Sequence, residues 1–376
     1  MYIQKSGNKF RLVERYKDPL TGKLKRVTIG ISDKRKSTVK EARIRLNRLI
    51  EQKLSEVQQG NIIHGITLGQ VLDEYEKESS SRIRRSTYYN HLTMAKNIRA
   101  TIGDDALIEK ITPKVITKFI ESLMYGDKNI SSGYASKYKY FCHTIMEYAL
   151  KQNYVKNNPV DKVEIDYKTP VSGVKIQNKF LEQSELDTLL KYAYAHNTTY
   201  AQLCEWLYLT GSRIGEATSL SFDDVHQNRN HWVVEITGTL DYDHVKIADQ
   251  KKAANPKNAS SVRSVILPEK ALKIYQDRIA ETGGNGFIFC TSNGTPIQTS
   301  TLNSFLRTAK KKLKIDKPLS SHIFRHTHIS KLAELGVPIY VIQQRVGHAD
   351  SKVTRQIYLH VTENAVEQEA SKLDKL

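Results

Sequence analysis

The stretch SSHIFRHTHISKLAELGVPIYVIQQRVGHADSKVTRQIYLHV, Ser320 to Val361, constrains the fold more tightly than any other part of the chain. It reads as helix, turn, helix, turn and a short third helix. Leu332, Leu335, Val337, Ile339, Ile342 and Val346 are spaced to form one apolar face. Gly336 and Pro338 break the first junction, and Gly347 ends the second helix. Helices that share an apolar face must pack on one another, and this packing gathers an unusual polar set. His322 and Arg325, three residues apart, share one side of a helix start. His348 follows the helix-ending glycine. Tyr358 comes ten residues later, in a segment opening with Ala349-Asp350-Ser351.

Two imidazoles, a guanidinium and a phenol suit a phosphodiester in flight. Arginine grips non-bridging oxygens through two parallel hydrogen bonds. Histidine donates hydrogen bonds and moves protons near pH 7. Tyrosine offers an oxygen nucleophile that needs activation, since its reference pKa is about 10. No carboxylate pair for divalent metals lies in this stretch, which disfavours metal-activated hydrolysis. The ordered string H-x-x-R, then G-H, then Tyr resembles box II of the tyrosine recombinases, the phage-integrase family.

A second motif lies upstream. TGSRIGEATSL, Thr210 to Leu220, has a glycine that permits a sharp bend and Arg213 opening a short helix, a place suited to an anion. It resembles the family's box I, T/S-G-x-R-x-x-E. The resemblance makes Arg213 the first catalytic arginine and gives Glu216 an orienting role. PKNASSVRSVILP, Pro256 to Pro268, resembles the family's β-hairpin segment and points to Lys257 as the catalytic lysine, although Asn258 stands where the family commonly has Thr. Lys251 and Lys252 are nearby competitors. The implied catalytic set is Arg213, Lys257, His322, Arg325, His348 and Tyr358. In that scheme Tyr358 attacks the scissile phosphate and leaves a 3′-phosphotyrosyl link. Arg213, Arg325 and His348 hold the phosphoryl oxygens, Lys257 protonates the leaving 5′-oxygen, and His322 takes or positions the phenol proton. His326 and His328 read as packing or DNA-contact residues. No cofactor and no metal is expected, since no zinc-ligand spacing occurs.

The remaining chain divides by pattern. Residues 1–60 read as strand (Lys9 to Tyr16), turn (DPLTGK, Asp18 to Lys23), strand (Leu24 to Ile31) and a charged helix capped by Thr38, running from Val39 to about Val57. Its apolar set is Ala42, Ile44, Leu46, Leu49 and Ile50. The strand-DPxTGK-strand pattern resembles the amino-terminal arm-binding domain of phage and transposon integrases. Residues 66–166 are helical: Leu68, Val71, Leu72 and Tyr75, then Ile116, Phe119, Ile120 and Leu123, then Tyr138, Phe141, Ile145, Met146 and Ala149 follow helical spacing. About four helices make a bundle. Arg82, Arg84, Arg85, Lys96 and Arg99 suit a DNA-backbone surface, and at least one of Tyr88 and Tyr89 is expected in the core. The region resembles the family's SAM-like core-binding domain. Residues 179–376 form a third domain of helices and short strands, with a helix capped by Ser184, strands near Trp232–Gly238 and Ser261–Pro268, and helices near Glu269–Glu281 and Thr299–Leu313. The fold class is thus multidomain and mainly α with small β-sheets: an arm-binding sheet plus helix, a helical core-binding domain and an α+β catalytic domain.

Charge agrees with this assignment. The 376 residues carry 58 Lys/Arg against 40 Asp/Glu, a formal net charge of +18. Residues 1–60 alone hold 16 basic and 6 acidic groups. A chain this basic meets a polyanion. Cys142, Cys204 and Cys290 are odd in number and far apart, so they form neither a disulfide framework nor a metal site. There is no run of 18 apolar residues, and MYIQKSGNKF is no signal peptide. A cytoplasmic protein without membrane contact is expected. The resemblance implies a site-specific recombinase that integrates or excises a mobile element. Its partners are double-stranded DNA attachment sites of core and arm type, other copies in a homotetramer on DNA, and an excision factor or DNA-bending host protein. Two other readings stay open: a type IB topoisomerase-like relaxing enzyme and a non-catalytic DNA-binding regulator on the same fold. The helical and arm domains weigh against the first, and the complete catalytic set weighs against the second. The tail after Tyr358 carries a weak apolar stripe, Val361, Ala365, Val366, Ala370 and Leu373, that either docks on a neighbouring copy or folds back on its own domain.

Overall fold

The DPLTGK turn shows how the first strands form. Asp18 is buried and accepts hydrogen bonds from Thr21 (Oγ1, 3.0 Å) on its carboxylate and from Gly22 (N–H, 2.8 Å) on its carbonyl, while Lys25 pairs with the carboxylate at 2.5 Å. Gly22 sits at φ 66, the left-handed region that glycine enters freely. The turn joins β2 (Lys9–Lys17) and β3 (Leu24–Ile31) in register from Phe10↔Ile31 to Lys17↔Leu24. A strand not anticipated from the sequence, β1 (Tyr2–Ser6), pairs along the other edge of β2. It is short and largely exposed, so it carries little apolar alternation. One sheet face, with Phe10, Leu12, Ile29 and Ile31, packs on Val39 and Ala42 of α1 (Lys36–Gln59). The helix opens earlier than expected. Thr38 lies inside it, bonded to Asp33, and is not its cap. Ile44 and Leu49 face solvent.

The computed structural model describes residues 1–6, 9–18, 21–59, 62–169, 176–242, 244–253, 262–347 and 352–373, the side chains of 6, 9, 55–59 and 364–373 aside. They form two compact units, Met1–Pro170 and Val171–Leu376. No helix among the described residues is long and apolar enough to cross a membrane.

Beyond the sheet, the first unit is a helical bundle of α2 (Leu68–Arg82), α3 (Arg85–Ile102), α4 (Pro113–Tyr125) and α5 (Ser132–Lys151). Thr67 and Gln70 make a reciprocal capping box, Pro113 starts α4 where its missing N–H costs nothing, and Ser131 caps α5. Every residue expected on the helical stripes is buried, from Leu68 to Ala149. Tyr88 and Tyr89 depart from expectation. Neither is core: both are half-buried and meet edge to face at 5.6 Å. Arg99 also departs, since its guanidinium pairs with Asp73 (2.5 Å) and Asp104 (2.9 Å).

The second unit begins with α6 (Gln183–His196), capped by Glu182 and not Ser184, and α7 (Thr198–Thr210), capped by Asn197. A four-residue helix, α8 (Ile214–Ala217), follows. Strands β4 (Val225–Asn228), β5 (His231–Ile236), β6 (Thr239–Asp241), β7 (Lys251–Ala253) and β8 (Arg263–Ile266) make an antiparallel sheet of order β4-β5-β8 and a separate β6-β7 pair. Helices α9 (Glu269–Thr282) and α10 (Thr299–Leu313) complete the main core with α6 and α7, centred on Trp206, Phe289 and Phe324. Last come α11 (Ser321–Glu334), α12 (Ile339–Val346) and α13 (Lys352–Leu373). The third of these is 22 residues long, not short. A second apolar cluster, Phe180, Ile329, Ala333, Ile342, Val346, Ile357 and Val361, joins them. Val361, assigned above to the tail stripe, is therefore buried within its own chain. Leu335, expected on the apolar face, is exposed because it terminates α11. The three cysteines are free and buried, and burial pushes the Cys142 thiol up to about 12.

Leu72 has no exposed surface, whereas Tyr140 is 70% exposed. Leu72→Ala should therefore weaken the bundle by about 2–5 kcal/mol. Tyr140→Ala should stay within about 0.5 kcal/mol. Urea unfolding followed by far-ultraviolet circular dichroism checks both.

Candidate active site

Two helices end at this site in the same way. α7 closes on Gly211 (φ 67) and α12 on Gly347 (φ 68), each in the left-handed conformation. Such ends leave carbonyls without intrahelical partners and carry the negative end of the helix dipole. Arginines from other elements meet these carbonyls. Arg325 of α11 donates from Nη1 to Gly211 O (2.6 Å) and from Nη2 to Val346 O. Arg213 donates from Nη2 to Gly347 O (3.4 Å). Arg345 donates to Leu209 O (3.3 Å) and Ile266 O (3.0 Å). Arg213 and Arg325 thus rest on adjacent carbonyls at one helix end.

A carboxylate orders the other side of Arg213. Arg213 opens α8 with extended backbone, and Glu216 accepts both its N–H (2.8 Å) and its Nη1 (2.7 Å). The anion that meets this helix start is therefore internal. The same carboxylate is gripped by Arg263 of β8, Nη2 to Oε2 at 2.8 Å and Nη1 to Oε1 at 3.3 Å. Burial alone would raise the Glu216 pKa. The hydrogen bonds and charge of Arg263, then Arg213, outweigh it and leave the group below its ordinary value, hence ionised.

The positive cluster tunes its neighbours. Arg325 is 2% exposed, and burial, then the charge of Arg213, lowers its pKa to about 9, with Glu216 opposing. Arg213 keeps about a third of its side chain exposed, so it faces solvent while Arg325 sits behind. His322, one helical turn from Arg325, is lowered first by partial burial and then by Arg325 and Arg213, which favours the neutral imidazole at pH 7. His326 is lowered to about 4 by burial, His322, Arg325 and Lys179. His328 is buried and lowered to about 3, chiefly by burial and then by Arg345. It donates to the Tyr208 carbonyl and accepts from Arg345 Nε at 3.1 Å, which fixes one neutral tautomer. Of the two roles expected, packing or DNA contact, burial fits packing.

Arg213, His322 and Arg325 of the expected set are thus brought together. Tyr358 is carried by α13, which packs on α11, and its half-buried ring rests on the apolar cluster around Ile357. Lys257 and His348 lie outside the described residues. Of the competing lysines, Lys252 is tied to Asp224 at 2.6 Å and Lys251 is exposed. Arg263 and Arg345 were not anticipated. Arg263 left a signal: it occupies an inward position of an alternating strand, where a charge requires a buried partner. Arg345 sits in the last turn of a helix, where a cation meets the dipole.

Two outcomes follow. A Cβ at Gly211 would lie 2.5 Å from His328 Cδ2 and 3.0 Å from Val346 Cγ1, at positive φ. Gly211→Ala should lower stability by about 1–3 kcal/mol, seen as a lower thermal midpoint, and should disorder the carbonyl that holds Arg325. The second concerns acid. The unfolded His328 titrates near 6.5 and the folded one near 3. The unfolded state therefore binds more protons between these values, and stability present above pH 6.5 falls as pH drops through the window. His328→Gln, which still accepts from Arg345, should flatten the slope of unfolding free energy against pH by up to about 1.4 kcal/mol per pH unit, read from urea unfolding at several pH values.

The sequence matches the phage integrase family over residues 179–365 and that family's N-terminal SAM-like domain over residues 67–124. It is 34% identical over 384 residues to a prophage ps2 protein of Lactococcus lactis subsp. lactis described as a probable integrase, covering 97% of each chain. The fold is similar to that of the Tn1549 transposon integrase bound to a circular intermediate DNA, with a TM-score of 0.64, 18% identity, and 82% of this chain and 99% of that one covered. It is also similar to lambda integrase solved as a tetramer on a Holliday junction, with a TM-score of 0.60, 19% identity, and 95% and 93% covered. With the box I and box II arginines gathered at one pair of helix ends, and a relative at this identity along nearly its whole length, the chain belongs to the phage integrase family and is a tyrosine-type site-specific DNA recombinase.

Proposed function

We propose that this recombinase integrates and excises a mobile element by cutting and rejoining DNA through Tyr358. The observation that carries the reading is the placement of Arg213 and Arg325 on adjacent carbonyls at the end of α12, with His322 under the charge of both. A scissile phosphate entering from the Arg213 side meets a preformed cationic cradle. The phenol oxygen of Tyr358 attacks phosphorus and its proton passes to His322. The P–O5′ bond breaks, and Lys257 supplies the proton to the leaving 5′-oxygen. His348, next in the chain after Gly347, hydrogen-bonds a phosphoryl oxygen. The 3′-phosphotyrosyl bond keeps the ester energy, so a new 5′-hydroxyl reverses the step without nucleotide or metal.

Three modules share the work. Residues 179–376 hold the chemistry and residues 66–166 grip the core site. Residues 1–60 bind arm-type sites through the sheet face opposite α1. On that face Arg15 stands directly across from Arg26. Like charges so opposed are unfavourable unless an anion joins them, as a DNA backbone does. Exchange of four strands needs four nucleophiles and each copy offers one, so a homotetramer assembles on paired sites, as lambda integrase does on a junction. An excision factor or a DNA-bending host protein sets direction, and the work is done in the cytoplasm.

On a suicide substrate carrying the crossover site, Tyr358→Phe should abolish covalent capture and change binding by no more than about twofold. Arg213→Ala should cut capture by about 10²–10³ with a far smaller loss of binding. Capture by the phenylalanine protein would assign the nucleophile elsewhere. Plasmid relaxation without strand exchange would favour a topoisomerase.

A further inference from the structure

Arg263 lies outside both boxes, yet it bonds two segments of the site. Its guanidinium holds Glu216 with two hydrogen bonds, and its Nε donates to the Arg345 carbonyl at 2.7 Å. Its side chain and that of Glu216 are each 5% exposed. It begins β8, so it is also the fixed end of the segment that leads back to Lys257. Ile236↔Arg263 closes the β5–β8 register at this point.

We propose that Arg263 is a positioning residue for strand cleavage: acting through Glu216 it sets the direction of the Arg213 guanidinium. The inference rests on the strand-exchange reading above. Glu216 accepts Arg213 on both oxygens, from the backbone N–H on Oε2 and from Nη1 on Oε1. A carboxylate held only by Arg213 could rotate about its own side chain and carry Nη1 with it. Arg263 bonds the same two oxygens from the strand side and removes that rotation. The carboxylate becomes a rigid relay between a β-strand and a helix cap. Fork geometry is required for this. A lysine keeps the charge but is a single point and cannot fix a plane. Placement errors of about 1 Å at a reacting phosphate cost about 10²-fold in rate, so a loosened Arg213 should affect cleavage far more than binding.

The test uses the full chain with Arg263→Lys, Glu216→Gln and the double variant. Covalent capture on the suicide substrate, gel-shift affinity for the same duplex and thermal midpoint are measured for each. Arg263→Lys is expected to bind within about threefold of wild type, to melt within a few degrees of it and to capture at least tenfold more slowly. Glu216→Gln is expected to slow capture likewise, and the double variant to be no slower than the worse single one, because both act through one carboxylate. Should Arg263→Lys fail to fold, Arg263→Gln, uncharged but able to donate to one oxygen, is expected to show the same split. Unchanged capture in Arg263→Lys, capture losses that multiply in the double variant or merely follow the melting point, or unfolding of both Arg263 variants would overturn the proposal. Absence of capture by the wild type would instead refute the Tyr358 reading.

Discussion

The catalytic unit depends on one interaction repeated: a guanidinium seated on the carbonyls of a helix that ends in a left-handed glycine. α7 and α12 come from distant parts of the sequence. Arg325 spans them by bonding Gly211 on one and Val346 on the other. Arg345 fastens the same α12 end to Leu209 and to the edge of β8. A buried carbonyl without a partner costs about 1–3 kcal/mol, so these bonds secure the chain reversals while placing charge. Packing and the placement of charge are served by the same atoms. That is why a side chain at Gly211 is costly and why Arg325 is buried.

Much of this was legible in the sequence, for identifiable reasons. The bundle helices follow a 3.6-residue period with well-formed caps at Thr67 and Ser131, so their buried faces could be read directly. The DPLTGK turn, Gly211 and Gly347 announce backbone conformations that few other residues adopt. Misses occurred where tertiary context decides. β1 is too short and exposed to alternate, and α1 starts before its threonine. Tyr88 and Tyr89 are large enough to read as core but lie beside an exposed, basic turn. Arg99 looks like a DNA contact until Asp73, 26 residues earlier, is brought next to it. At the site, Arg213, His322 and Arg325, which the structure gathers, could be picked out because their order along the chain is distinctive. Arg263 and Arg345 escaped because their partners are backbone carbonyls and a carboxylate far away in sequence, and no local pattern encodes those.

The first unit solves a different problem with the opposite exposure. Its sheet buries one face on α1 and leaves Arg11, Arg15, Lys17 and Arg26 on the other. These side chains are exposed, and for the proposed arm-site contact a solvated cation suits a backbone whose charge is uniform. In the proposed mechanism Arg325 must instead meet one phosphate in one orientation, and burial supplies that rigidity. Exposure therefore separates Arg325 from the arginines of the sheet.

Holding Arg325 on helix-end carbonyls has an electrostatic consequence. A carboxylate partner cancels the charge it positions, whereas a carbonyl orients the guanidinium and leaves its charge intact. Among the described residues, Arg213 and Arg263 bond the ionised Glu216 and Arg325 feels its charge, so three guanidiniums share this carboxylate and the cluster stays positive. The proton affinity of Arg325 falls chiefly through burial and then through repulsion from Arg213 and, more weakly, Arg263. In the proposed mechanism a phosphate arriving between them relieves that repulsion, and the added negative charge of a pentacovalent transition state relieves it further. Until then the helix-end carbonyls, which themselves need donors, hold Arg213 and Arg325 in place against it.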